Sequence, residues 1–168
     1  SILILLFFIF LFTASCKKEG TPLSQLPKLT TEGRNTFGCL VDGEVWTPAG
    51  PSQSGGTPRL DVHYDEHNKF LRVGAKREIS ENSINQRMVF GNFINGVGEF
   101  NLAENLTFTD YISCGFYYLD TLSPRTINIS CLNTSENIVS GTFQFTVIHF
   151  DCQDTIRVTE GRFDTKYW

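Results

Sequence analysis

The stretch between residues 61 and 68 has the densest supply of groups that could do chemistry. His63-Tyr-Asp-Glu66-His67 fits the spacing H-x-x-E-H, in which two imidazoles hold zinc and the glutamate serves as general base. That chemistry needs both histidines on one face of a helix. Here Leu60, Val62 and Tyr64 alternate with polar residues, a strand pattern, so His63 falls on a strand and His67 in the following loop. Asp61, Asp65, Glu66 and Asn68 could instead gather oxygen ligands for calcium, although the EF-hand spacing and its central glycine are absent. A solvated acidic turn is the default. A metal held by Asp61, His63, Asp65, Glu66 and His67, serving an envelope or glycan hydrolase, is the alternative. No G-x-S-x-G elbow occurs, and His149, in an alternating strand, reads as a sheet-surface residue. No catalytic residue is assigned and no cofactor is expected.

The chain has five cysteines. Cys16 follows Thr13-Ala-Ser15 and precedes Lys17-Lys18-Glu19, an arrangement that resembles a lipobox, where the thiol is acylated and becomes the mature N-terminus. The other four, Cys39, Cys114, Cys131 and Cys152, allow three connectivities, in the oxidising compartment that an export signal implies. A hairpin turning at Thr121-Leu-Ser-Pro124 would set Tyr118 against Ile127, Phe116 against Ile129 and Cys114 against Cys131. The expected bonds are therefore Cys114–Cys131 and Cys39–Cys152. The competing use, metal binding, lacks the close cysteine spacing of a zinc knuckle.

Trp46, Tyr64, Tyr111, Tyr117, Tyr118 and Trp168 could form a stacking platform for sugars, though strand aromatics usually serve the core. In the same hairpin Tyr117 lies off the Tyr118 face, so Tyr117 and Trp46 are the expected binding aromatics.

The elements that would position these residues divide the chain into three. Residues 1–15 read as a signal peptide truncated at its start: the apolar run 2–12 is shorter than the ~20 residues of a membrane span and has the length of a signal core. Residues 16–36, the lipidated cysteine and a polar stretch with two prolines, read as a flexible tether. From Phe37 to Trp168 short alternating runs are separated by turn signals, as at Asp42-Gly43, and no run of helical period stands out. In the last hairpin Phe163 has the wrong parity unless a bulge sits near Gly161. The fold class is all-β, an antiparallel β-sandwich-like domain.

A net charge of −4 without a basic run argues against nucleic acid as a partner. The expected partners are a membrane, reached through the N-terminal lipid, and a glycan or an envelope protein. The stretch 82–105 is where an apolar contact surface would be sought.

Two segments, Asn35-Thr-Phe-Gly-Cys-Leu-Val-Asp-Gly-Glu-Val-Trp-Thr-Pro48 and Ser140–Val147 continuing to Ile156-Arg-Val-Thr-Glu-Gly-Arg-Phe-Asp164, resemble uncharacterised lipoproteins of Bacteroidota. The resemblance implies a β-rich domain in the cell envelope, and with the lipidated Cys16 the expected location is the outer membrane, on its periplasmic or its surface face. It implies no established activity and supplies no catalytic residue.

Overall fold

The structure, a computed structural model, describes residues 20–50, 59–82, 84–102 and 106–168. The signal segment 1–15, Cys16 and residues 51–58 lie outside the described residues. Among the described residues there are eleven antiparallel strands: β1 (Thr36–Val41), β2 (Glu44–Trp46), β3 (Leu60–Asp65), β4 (Phe70–Ile79), β5 (Ile84–Phe93), β6 (Gly98–Asn101), β7 (Thr107–Asp110), β8 (Gly115–Leu119), β9 (Thr126–Asn133), β10 (Ile138–His149) and β11 (Asp154–Lys166). Short 3₁₀ turns cover Pro22–Gln25 and Ser80–Asn82. The chain is all-β, as its period-two patterning requires.

The strands join in the order β2-β1-β11-β10-β8-β7-β5-β4-β3, with β9 on β10 and β6 on β9. This sheet folds over on itself. Phe90 of β5 puts its ring 4.6 Å from Phe143 and 6.1 Å from Phe145 of β10, and 6.5 Å from Phe37 of β1. None of these strands is a sheet neighbour of β5, so the contacts cross the sandwich. One half is β6-β9-β10-β11-β1-β2; the other is β8-β7-β5-β4-β3. Alternate residues from both halves, among them Val73, Met88, Phe108, Tyr117, Ile127 and Val147, close the core.

Local signals explain several turns. Asp42 and Gly43 both have positive φ, 49° and 87°, the mirror-image turn that matches strand twist, and Val41 pairs with Glu44 across it. Near Gly161 the register jumps from Phe143↔Gly161 to Phe145↔Val158, with Glu160 at φ 54°; this is the extra residue that Phe163 demands. A Cβ on Gly161 would stand 2.5 Å from the Phe143 ring, so glycine is what lets that ring lie across β11.

Two registers differ from expectation. The alternation of Leu60, Val62 and Tyr64 with Leu71 and Val73 across a loop at Asp65-Glu-His-Asn68 predicts Val62 opposite Leu71; in the β3–β4 hairpin Val62 pairs instead with Val73, and Tyr64 with Leu71. The turn is residues 66–69, and the two-residue slip leaves the same side chains inside because the sheet's period is two. The second difference is topological. β8 and β9 do not form a hairpin: both run antiparallel to β10 along one edge, β8 at Val147–Ile148 and β9 at Ile138–Gln144. They lie end to end, and residues 120–125 are an excursion between them.

The segment read as a tether, 16–36, is docked from Leu26 onward. Leu26 is buried, and Pro27 covers Gly38, whose Cβ would fall 2.7 Å from its Cδ. The buried Asp164 carboxylate then gathers the chain. It accepts from Thr30 Oγ1 (2.5 Å), from the amides of Glu32, Gly33 and Arg34 (3.1, 2.7 and 3.3 Å), and from Ser140 Oγ (2.7 Å).

Candidate functional site: an aromatic platform beside two cations

β8 decides which aromatics meet solvent. Its residues alternate strictly: Tyr117 and Leu119 are buried, whereas Phe116 and Tyr118 are each 55% exposed. Because Phe108 pairs with Tyr117 and Thr109 with Phe116, the inner face continues through Phe108 and the outer through Thr109, which points outward but is itself covered. Turns at one end of the sheet add to the outer face. Tyr111, in the β7–β8 turn, meets Phe116 edge-on at 6.1 Å, and Phe150, in the β10–β11 turn, lies 6.3 Å from Tyr118. Tyr111, Ile112 and Phe150 are exposed as well. Four aromatic rings thus form an open apolar strip over β7, β8 and the adjoining turns.

The strip borders positive charge. Across the outer face the pairs Lys76↔Arg87, Arg87↔Thr109 and Thr109↔Phe116 form one row over β4, β5, β7 and β8. At about 4.8 Å per strand the row measures roughly 14 Å. Lys76, Asn85, Arg87 and Tyr111 line a shallow depression of about 330 Å³ beside the rings. The docked N-terminal segment lies apart from most of the platform: Pro27 sits on β1 of one half, whereas Phe116 and Tyr118 stand on β8 of the other and Tyr111 in its β7–β8 turn, with Phe150 reaching them from the β10–β11 turn.

Of the six aromatics that the sequence offers for stacking, Tyr111 and Tyr118 stand on this strip, and the two expected to bind do not. Trp46 and Tyr117 are core residues, 2% and 1% exposed, which corrects their expected binding role. Trp46 Nε1 donates to Gln86 Oε1 at 2.8 Å, and Tyr117 Oη donates to Asp154 Oδ2 at 2.7 Å. Burial, and then the Asp154 carboxylate, push the Tyr117 phenol pKa up. The error traces to the supposed β8–β9 hairpin, which put Phe116 and Tyr118 opposite isoleucines and so inside.

The cysteine pairing is corrected for the same reason. Cys114 bonds to Cys152, not to Cys131, while Cys39 and Cys131 are free thiols. Cys39 is fully buried in β1, and that burial raises its pKa strongly, so it is an inert thiol. The bond ties the β7–β8 turn to the β10–β11 turn, the two turns that carry Tyr111 and Phe150. His149 stands beside it, accepting from the Cys152 amide at Nδ1 (3.1 Å). Cys114, His149 and Cys152 are the group of potential metal donors that comes within 4.8 Å among the described residues, but both sulfurs are spent on the bond.

The 61–68 segment does not converge in that way. Asp61 pairs with Arg72 at 2.9 Å. His63 is exposed on β3 and contacts the Trp168 main-chain oxygen through Nδ1. The Asp65 carboxylate closes its own turn, accepting from the amides of His67 and Asn68 (2.9 and 3.0 Å) and from the Asn68 side chain. The Asn68 amide and side chain together hold its pKa low. Glu66 accepts from Tyr167 Oη at 3.4 Å, and burial followed by Glu66 pushes the Tyr167 pKa up to about 12.

No family model, curated protein or solved structure matches the chain.

The signal that could have found the platform was present in Gly115-Phe-Tyr-Tyr-Leu119, where four consecutive large residues force two of them outward on any strand. Which two depends on the partner strand, and that the segment itself does not encode.

Proposed function

We propose that this chain is a lipid-anchored envelope protein, held at the outer membrane through Cys16, whose β domain binds carbohydrate without transforming it. The observation that carries the reading is the exposed strip of Tyr111, Phe116, Tyr118 and Phe150. The C–H faces of pyranose rings stack on such a surface, and aromatic area at a fixed spacing on a rigid sheet loses little entropy on binding. An exposed apolar strip also marks a contact site in a soluble domain. Docking of residues 26–35 against β1 and β11, away from β8, supports a geometry in which Phe116 and Tyr118 look away from the anchor.

The test joins two measurements. Labelled fatty acid should be incorporated into the protein and lost in Cys16→Ala. Affinity electrophoresis of the full chain against a panel of soluble polysaccharides should show retardation by at least one, abolished in Phe116→Ala, Tyr118→Ala with the melting temperature unchanged. Normal migration in every gel would end the carbohydrate reading; acylation in Cys16→Ala would end the anchor assignment.

A further inference from the structure

The platform has a charged end as well as an apolar one. On a chain of net charge −4, Lys76 and Arg87 stand side by side in register on the outer face. With Tyr111 they line the same depression. The two cations are not equivalent. Lys76 Nζ lies 2.7 Å from Glu78 Oε2 and is partly neutralised. Arg87 makes no ion pair among the described residues. Its guanidinium is therefore the free charge of the depression among the described residues, one strand from Thr109 and two from Phe116 in the same row.

From this arrangement we infer that the platform takes an acidic polysaccharide, with Arg87 receiving the carboxylate of a uronic-acid residue while neighbouring sugar rings stack on Tyr111 and Phe116. The inference rests on the carbohydrate reading above and names its substrate class. A guanidinium presents parallel N–H donors that match a planar carboxylate. Lys76, tied to Glu78, contributes field more than a second contact. One free arginine beside one half-neutralised lysine is too little charge for a phosphate backbone, which takes many cations at once. Spacing fits as well: the roughly 14 Å from Lys76 to Phe116, three strand intervals, is the reach of an oligosaccharide segment rather than a single sugar. Binding then has two independent parts, stacking that tolerates many rings and one ionic contact that selects for acid.

The experiment uses the full chain in titration calorimetry against polygalacturonate, alginate and a glucuronate polymer. Each is compared with its carboxyl-methylated form, and a sulfated glycan is run beside them. At least one polyuronate should bind. Methylation, which keeps the rings and removes the charge, should weaken it about tenfold or more, the loss expected for a charge-assisted hydrogen bond. Arg87→Gln should reproduce that loss on the acid and change nothing on the ester. Because the ester comparison needs no variant, a misfolded Arg87→Gln does not spoil the test. Equal affinity for acid and ester overturns the inference and leaves the carbohydrate reading standing. Tighter binding of the sulfated glycan than of any uronate overturns the carboxylate assignment. No heat with any glycan overturns both.

Discussion

Tyr117 and Tyr118 are adjacent, share every local propensity, and have opposite fates. One is 1% and the other 55% exposed. Tyr117→Ala removes a ring packed edge-on against Phe108 at 6.0 Å and should cost about 3–5 kcal/mol, as large aromatic truncations in a core do. Tyr118→Ala should stay within about 0.5 kcal/mol of the parent while losing glycan affinity. Chemical denaturation of the two variants checks this, and comparable losses would put Tyr118 in the core. Asp164 makes the sharper case. Burial alone would raise its pKa, but hydrogen bonds from Thr30, Ser140 and the amides of Gly33 and Glu32 outweigh burial and lower it. The stabilisation from a lowered carboxylate is complete above its unfolded pKa of about 4 and is lost as the pH falls through the folded value. Asp164→Asn should therefore cost about 3 kcal/mol at neutral pH by orphaning amides on residues 32–34. The gap from the parent should narrow in acid. A gap independent of pH between neutrality and pH 3 would contradict the assignment.

At the scale of elements, local sequence reports turns better than it reports where strands go afterwards. The Asp42-Gly43 turn and the bulge beside Gly161 are legible because each is set by one residue's backbone or parity. The 66–69 turn is legible to within two residues, since the sheet's period leaves the core unchanged by that slip. The 120–125 segment misleads. Its proline and polar residues say correctly that the chain leaves the strand, but its return along the same edge of β10, instead of back against β8, is decided by β10, which the segment does not contain. Cysteine pairing and ring exposure both inherit that long-range choice, which is why the candidate site was the least legible part of the chain. The bond that results has a consequence of its own. Cys114 and Cys152 are 38 residues apart, so the link should contribute about 3–4 kcal/mol by restricting the unfolded chain. Because it also fixes the turns of Tyr111 and Phe150, reduction should weaken glycan binding more than it disturbs the sheet. A non-reduced digest should yield a peptide joining Cys114 to Cys152, with Cys39 alkylated only after denaturation. A Cys114–Cys131 peptide would restore the hairpin that the register excludes.

For the whole molecule, β10 is the strand on which the halves depend. It pairs with β11 from Ile138 to His149, and its other edge is divided between β9 and β8. The same strand thus belongs to both halves of the folded sheet, and Phe143 and Phe145 are the side chains it sends across to Phe90. If this junction is continuous, the sandwich has no seam along which one half could open without the other, and residues 37–168 unfold as one cooperative unit. Native-state hydrogen exchange distinguishes the cases. Amides of Val139, Phe143, Phe145 and Val147 should exchange only through global unfolding, with one common free energy. β2 and β6, of three and four residues at the ends of the sheet, should open locally at lower cost. The decisive comparison is between Val139 and Val147, which sit on the β9 and β8 segments of the same strand. Two distinct opening energies there would mean that the β8 half, and with it the aromatic platform, can detach from the half that carries the N-terminal segment. A single energy would mean that the rings and the N-terminal segment are held by one rigid frame, so that ligand bound at Tyr118 is felt as stability at Asp164.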